Sequence, residues 1–276
     1  MAGDAKFAVD EAIAGPFQDG FTEADLAAFP WPKASDFDFS SIAAAAETQP
    51  ARVRIGGFWT GIFGDSYRMA GFQQFLFNLA AEPELTKALV DRVTEMYLEL
   101  NDAVFTTLKG KLDVWFFGND FGSQDGLLFS ADMWADFFFE NIRRLAALAH
   151  GHGLKVMMHS CGAIRPLIPR LIEAGVDILD PIQVTARGMT PAELRAEFGG
   201  RIVFHGGVDT QRALPFKTPA EVAAHARETA AALGGANGGY IFSSSQLLGP
   251  DIPVDNVLAM YAAGAGAPVA DGGGGE

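Results

Sequence analysis

His159 and Cys161 close the apolar segment Leu154–Met158, two residues apart, and Cys161 is the only cysteine of the 276-residue chain. In a β-strand, side chains i and i+2 point to the same side. Imidazole and thiolate are ligands that zinc favours. The pair therefore offers half of a metal site at the carboxyl end of a strand, where parallel α/β folds keep their chemistry. The alternative is a cysteine packed as a small hydrophobe beside a histidine that satisfies a loop carbonyl.

Other strand ends deliver further polar groups. The segment Arg52–Trp59 leads from Trp59 to Asp65, Tyr67 and Arg68, and Leu112–Phe117 leads to Asn119, Asp120 and Gln124. Val176–Leu179 precedes Asp180 and Gln183, Arg201–Phe204 precedes His205 and Asp209, and Tyr240–Phe242 runs into Ser243–Ser245 and Gln246. Several have a structural alternative. Asp120 can support the turn at Phe121-Gly122, Asp180 can cap the loop after Pro181, and Asp209 can N-cap a short helix. His205 can satisfy a neighbouring backbone group. No Ser-His-Asp or lysine nucleophile arrangement stands out, and the serine run lacks the glycine elbow of a hydrolase. Gly56-Gly57 and Gly206-Gly207 are isolated pairs, not a phosphate-binding fingerprint.

The elements that must position these groups follow from the hydrophobic pattern. Residues 1–50 read as an irregular arm in which Thr22 N-caps Glu23–Phe29 and Pro30-Trp31-Pro32 ends that helix. Beyond Pro50 the pattern becomes regular. Helical periodicity covers Ala70–Ala80 and Pro83–Lys109, and Ser130 caps a long helix over Ala131–Ala149. Four further helices, Ile164–Ala174, Thr190–Phe198, Pro219–Leu233 and Val254–Ala262, alternate with the later strands. Such alternation means parallel βαβ units. The pattern contains about six strands over residues 51–265, whereas a closed (β/α)8 barrel has eight. Residues 266–276, ending Asp271-Gly-Gly-Gly-Gly-Glu276, read as a flexible tail.

Composition narrows the function classes. With 49% apolar and 20% charged residues the chain is globular, and its net charge of -14 opposes binding to nucleic acid or an anionic membrane. A single cysteine excludes an intramolecular disulfide framework and fits a reducing cytosol. The start Met1-Ala-Gly-Asp-Ala-Lys6 lacks the basic and apolar regions of a signal peptide, and no run approaches about 20 apolar residues. The expected location is cytoplasmic.

The ordered segments carry a family resemblance. Ile55–Trp59, Phe117–Gln124, Gly153–Gly162, Gly175–Gln183, Phe204–Asp209 and Pro250–Asn256 together resemble the uroporphyrinogen decarboxylase (URO-D) superfamily, over roughly residues 15–265. The resemblance implies a TIM barrel. It also implies one of two chemistries. True decarboxylases bind an acidic tetrapyrrole without metal, using an arginine-rich N-terminal motif and a histidine after the last strand. A second branch holds cobamide-dependent methyltransferases, including O-demethylase components, in which a His-x-Cys and a later cysteine bind zinc.

With His159 and Cys161 the chain resembles the second branch. Gln246 stands where decarboxylases have histidine and zinc methyltransferases have cysteine, and an amide oxygen is a weaker zinc ligand than either. A carboxylate must then complete the site. The choices are Asp65, near the acidic position of a Glu-x-x-x-x-x-Gly pattern, and Asp120. The resemblance thus implies Zn²⁺ on His159, Cys161 and Asp65 or Asp120, with Asp120 also in a catalytic role. Trp59, Asn119, Gln124, Gln183, His205, Asp209 and Gln246 would contact a small methoxy or thiol substrate, and a separate corrinoid protein would exchange the methyl group. A porphyrinogen decarboxylase remains the alternative, as does a non-catalytic barrel subunit completed by a partner chain. The six strands correspond to the last six of the family barrel, so its first two would lie before Met1.

Overall fold

The computed structural model describes residues 15–48, 52–235 and 238–265. Helices α1 (Glu23–Ala28) and α2 (Ser40–Glu47) precede strand β1 (Ile55–Gly56). Helices α3 (Ile62–Ala70), α4 (Phe72–Ala81) and α5 (Pro83–Thr107) lead to β2 (Val114–Gly118). Helices α6 (Ala131–Trp134) and α7 (Glu140–Gly151) lead to β3 (Lys155–His159), and α8 (Ile168–Glu173) to β4 (Ile178–Asp180). Helix α9 (Pro191–Phe198) leads to β5 (Val203–Val208), α10 (Pro219–Leu233) to β6 (Tyr240–Ser244), and α11 (Val254–Gly264) follows. The strands lie in chain order and every pairing is parallel. They curl into a TIM-like half-barrel of six units, with β1 and β6 as its edges among the described residues.

The period-2 alternation of the strands divides the core. Trp115, Phe117, Val156, Met158, Leu179 and Phe204 face outward into the main core beneath the helices. The intervening residues Val114, Phe116, Met157, Ile178 and Val203 form a smaller cluster on the other face. Trp115 and Phe117 are fully buried and stack with centroids 4.1 Å apart. Complete burial of such a side chain contributes about 1.5–3 kcal/mol. The arm belongs to the same core, since Phe17 and Leu26 are buried in it.

Helix ends follow local chemistry. Thr22 and Asp25 form a capping box on α1, Thr218 and Glu221 form one on α10 with Pro219 in its first turn, and the Ser130 hydroxyl accepts from the Met133 N–H. The structure departs from the sequence pattern in four places. The segment Arg52–Trp59 contributes only the two-residue β1. Arg54 is occupied by Asp113, whose carboxylate accepts its backbone N–H at 2.8 Å, and Gly57 turns the chain away at φ +104°. Asp65, Tyr67 and Arg68 lie on α3 rather than on a strand-end loop. The long helix after Ser130 contains a π segment at Ala135–Phe139. Pro166 and Pro169 lie at the starts of a 3-10 turn (Arg165–Leu167) and of α8, which replace a single helix over Ile164–Ala174. The tail at residues 266–276 lies outside the described residues. Among those described, no helix is long and apolar enough to cross a membrane.

Candidate metal centre and cavity

Register brings the chemistry together. Gly118 pairs with His159, and His159 pairs with Asp180, at the carboxyl ends of β2, β3 and β4. Leu179 pairs with Phe204, so His205 lies one step further along on the neighbouring strand. His159 donates through Nδ1 to Asp180 Oδ2 at 2.6 Å. A carboxylate can only accept, so this bond fixes the tautomer and leaves the His159 Nε2 lone pair free. That nitrogen lies 3.1 Å from Cys161 Sγ and 3.4 Å from Asp120 Oδ1.

Asp120, His159 and Cys161 each present one ligand atom, and the three atoms lie within 4.8 Å of one another. Asp120 also accepts the Cys161 backbone N–H at 2.9 Å, which ties the loop after β2 to the loop after β3. Gln246 joins the cluster from the end of β6 by donating its amide N–H to Cys161 Sγ. Burial pushes the Cys161 thiol far above its usual range, and the charges of Asp120 and Asp180 push it further, against the hydrogen bond from Gln246. Burial raises the Asp180 carboxyl as well. There the hydrogen bonds from His159 and His205 outweigh it and hold the group below the usual carboxylate range.

A cavity of about 680 Å³ opens beside this cluster. Trp59, Phe116, Met157, Leu247, Leu248 and Tyr261 give it apolar walls, and His159, Asp180, His205 and Gln246 supply polar groups. Among the described residues, no lysine or arginine lines it. The indole of Trp59 packs 5.7 Å from the His159 ring and 5.3 Å from Phe116, between centroids.

Other residues singled out by type hold loops. Asn119 is buried, with Oδ1 accepting the Phe63 N–H at 2.6 Å and Nδ2 donating to the Thr60 carbonyl. Gln183 Oε1 accepts the Gly162 N–H at 2.8 Å. Gln124 donates to Gln211 at 2.9 Å. Asp209 Oδ1 accepts from the backbones of Gln211 and Arg212, the capping arrangement that its sequence context allowed. Asp65 is outside the cluster of ligand atoms. Its carboxylate accepts from the Tyr97 hydroxyl and pairs with Arg68 at 3.1 Å, so the acidic member of the cluster is Asp120.

The role of Asp180 exceeds what its position before Pro181 suggested. Both of its carboxylate oxygens are engaged, one by His159 and the other by His205 Nδ1. The available signal was its place as the last residue of a strand lying beside the His-x-Cys strand.

Gly118 explains how closely these groups pack. A Cβ there would lie 2.8 Å from the His159 Cβ and would overlap the Trp59 ring. Gly118→Ala is expected to displace one of the two rings and cost about 1–3 kcal/mol of stability. The affinity of this candidate centre for an added zinc ion should fall by at least about tenfold, as when the support of a metal ligand is disturbed. Urea denaturation and a competitive chelator titration measure the two effects; unchanged zinc affinity would show that Trp59 alone gives way.

Comparison with known proteins gives a consistent picture. The uroporphyrinogen decarboxylase (URO-D) family profile matches residues 18–265. A solved structure of a methyltransferase from Methanosarcina mazei superposes with a TM-score of 0.69 at 18% identity, covering 90% of this chain and 69% of that one. No curated protein matches the chain in sequence. With the family profile spanning nearly all of the described barrel, the chain belongs to the uroporphyrinogen decarboxylase family.

Proposed function

We propose that the protein is a zinc-assisted methyltransferase that moves a methyl group between a small methoxy or thiol substrate and a corrinoid carried by a separate protein. The observation that carries this reading is the convergence of Asp120, His159 and Cys161, with His159 held by Asp180. The donor set fits zinc. Nitrogen, sulfur and oxygen donors are all within its range, three protein ligands leave a position open, and a carboxylate behind the ligating histidine is the usual support. The high thiol pKa belongs to the metal-free cluster, where a proton occupies the sulfur that a metal would take.

When bound, the metal would act as a Lewis acid on the heteroatom that bears the methyl group, or hold a substrate thiol as thiolate. The chain's own residues perform the remaining tasks. Asp180 fixes the His159 ring, and Gln246 holds Cys161 through its amide N–H. Trp59, Phe116 and Met157 provide an apolar surface against which a small uncharged substrate can pack with little water. The corrinoid partner would dock over the strand ends, where the cavity opens. The methyltransferase description of the structural neighbour supports the reading.

The decarboxylase alternative fits less well. A polyacidic tetrapyrrole needs cationic partners, whereas the cavity lining carries Asp180 and, among the described residues, neither lysine nor arginine. The chain's charge of -14 also repels such a substrate.

The test is metal analysis of the purified protein, followed by methyl exchange between cobalamin and a panel of thiols and methyl ethers. The expected outcome is bound zinc and cobalamin-dependent methyl transfer. A protein that takes up no zinc, and whose behaviour is unchanged in Cys161→Ala, would overturn the proposal, and turnover of uroporphyrinogen would favour the alternative.

A further inference from the structure

We propose that His205 is the proton-carrying catalytic residue of the site, delivering a proton to, or taking one from, the substrate heteroatom through Nε2; this rests on the methyl-transfer reading above. The basis is a three-membered chain across three strands. Asp180 bridges two imidazoles, with Oδ2 on His159 Nδ1 and Oδ1 on His205 Nδ1. The two histidines are thereby given the same tautomer but different surroundings. The Nε2 of His159 faces Cys161 and Asp120 within the ligand cluster. The Nε2 of His205 has no hydrogen-bond partner among the described residues, while its ring lines the cavity and is about one-fifth exposed.

This arrangement divides the labour between the rings. A histidine whose Nδ1–H is held by a carboxylate has one nitrogen left for chemistry, and the carboxylate stabilises the imidazolium when that nitrogen gains a proton. Around the cavity, Asp180 and His159 are the charged or titratable groups associated with His205, and among the described residues no other acid–base side chain except the phenol of Tyr261 lines the same space. Ser243, Ser244 and Gln246 can hydrogen-bond a substrate but cannot exchange a proton near neutral pH.

For a methyl ether the step balances as follows. The carbon–oxygen bond breaks and its electron pair stays on oxygen. The methyl group is taken by the electron pair of a reduced corrinoid, the nucleophilic acceptor of the proposed reaction. The Nε2 proton of the His205 imidazolium passes to the oxygen, giving the alcohol or phenol and a neutral ring that regains its proton from solvent. In the thiol direction the neutral Nε2 takes the S–H proton as sulfur receives the methyl group. Asp180 remains ionised throughout and acts as a positioning residue for both rings.

A leaving-group comparison tests the assignment. His205→Asn keeps an N–H near the position of Nδ1 to meet Asp180 but removes Nε2, and His205→Gln serves as a second variant if the first does not fold. Zinc-loaded wild type and variant would each be supplied with reduced cobalamin and two aryl methyl ethers, 4-nitroanisole and 4-methylanisole. Nitrophenolate leaves without help, whereas cresolate needs a proton. The expected result is unchanged zinc content, a rate loss of about 100-fold or more on 4-methylanisole, and only a few-fold loss on 4-nitroanisole. Equal losses on the two ethers, or no loss on either, overturn the proton-carrying role and leave the methyl-transfer reading standing. A wild type that demethylates neither ether nor methylates any thiol removes that reading, and the inference with it.

Discussion

Cys161→Ala is expected to abolish stoichiometric zinc binding and, with it, methyl transfer. Outer supports of a metal ligand are worth about 10–100-fold in affinity. Removal of a ligand should therefore cost more than about 100-fold, while Asp180→Asn should fall within the smaller range. The sulfur cannot be replaced from nearby. Asp120 and His159 are already in the cluster, and Gln246 offers an amide in place of a third strong donor. In metal-free protein the same substitution should have little effect on stability, because the thiol there is a protonated, half-buried group whose loss leaves no buried charge. Metal analysis and thermal melts with and without a chelator provide the readout. Wild type should melt higher with zinc by mass action on the folded state, and Cys161→Ala should show no such difference. A variant that still takes up a full equivalent of zinc would exclude Cys161 as a ligand.

Phe63→Ala is expected to be among the most destabilising single changes in the chain. The Phe63 ring is 1% exposed and lies between 5.1 and 5.8 Å, centroid to centroid, from Tyr67, Phe75, Phe121, Phe129 and Phe138. Deleting a buried phenylalanine side chain costs about 3–5 kcal/mol, because transfer free energy is lost and a cavity remains. Collapse is restricted here. The neighbouring rings belong to α3, α4, the loop after β2 and the π segment, so no single shift fills the space. The backbone N–H of Phe63 is also held by Asn119, which keeps the start of α3 in place. Urea denaturation at fixed zinc measures the loss. A cost below about 1.5 kcal/mol would indicate repacking of the kind seen for volume-conserving swaps. Phe216→Ala provides the control: its side chain is 82% exposed, and the change should stay within about 0.5 kcal/mol.

The two changes probe parts of the molecule that differed in how readable they were. His159 and Cys161 were visible because an i, i+2 pair at a strand end needs no long-range information. The parallel order of the strands followed from the alternation of patterns. The function of Asp180 required knowing that His159 lies opposite it on one side and His205 on the other, and that is a property of register. Asn119, Gln183, Gln124 and Asp209 have the side chains of ligand-binding residues, yet each is used to hold backbone or another loop. Residue type states what a group can bond to, while only the packed chain decides which partner it meets. Helix α3 was hidden for a local reason. Gly64, Asp65 and Ser66 are poor helix formers, and the segment is helical because Ile62, Phe63 and Ala70 bury into the core. The short β1 was hidden in the opposite sense, since Arg52–Trp59 has the apolar content of a strand but Gly57 ends its pairing.

The uneven lengths of the strand pairings decide what secures each wall of the cavity. Strand β1 is joined to β2 through two residue pairs, whereas β2 and β3 share five. Beyond β1 the chain is secured by side chains instead: the Trp115 indole donates to the Phe58 carbonyl and the Asn119 amide donates to the Thr60 carbonyl. Asp120, His159 and Cys161 follow the longer β2–β3 pairing. The wall that carries Trp59 is thus built on side-chain ties to β2 and the loop after it, and the candidate ion site on continuous backbone pairing.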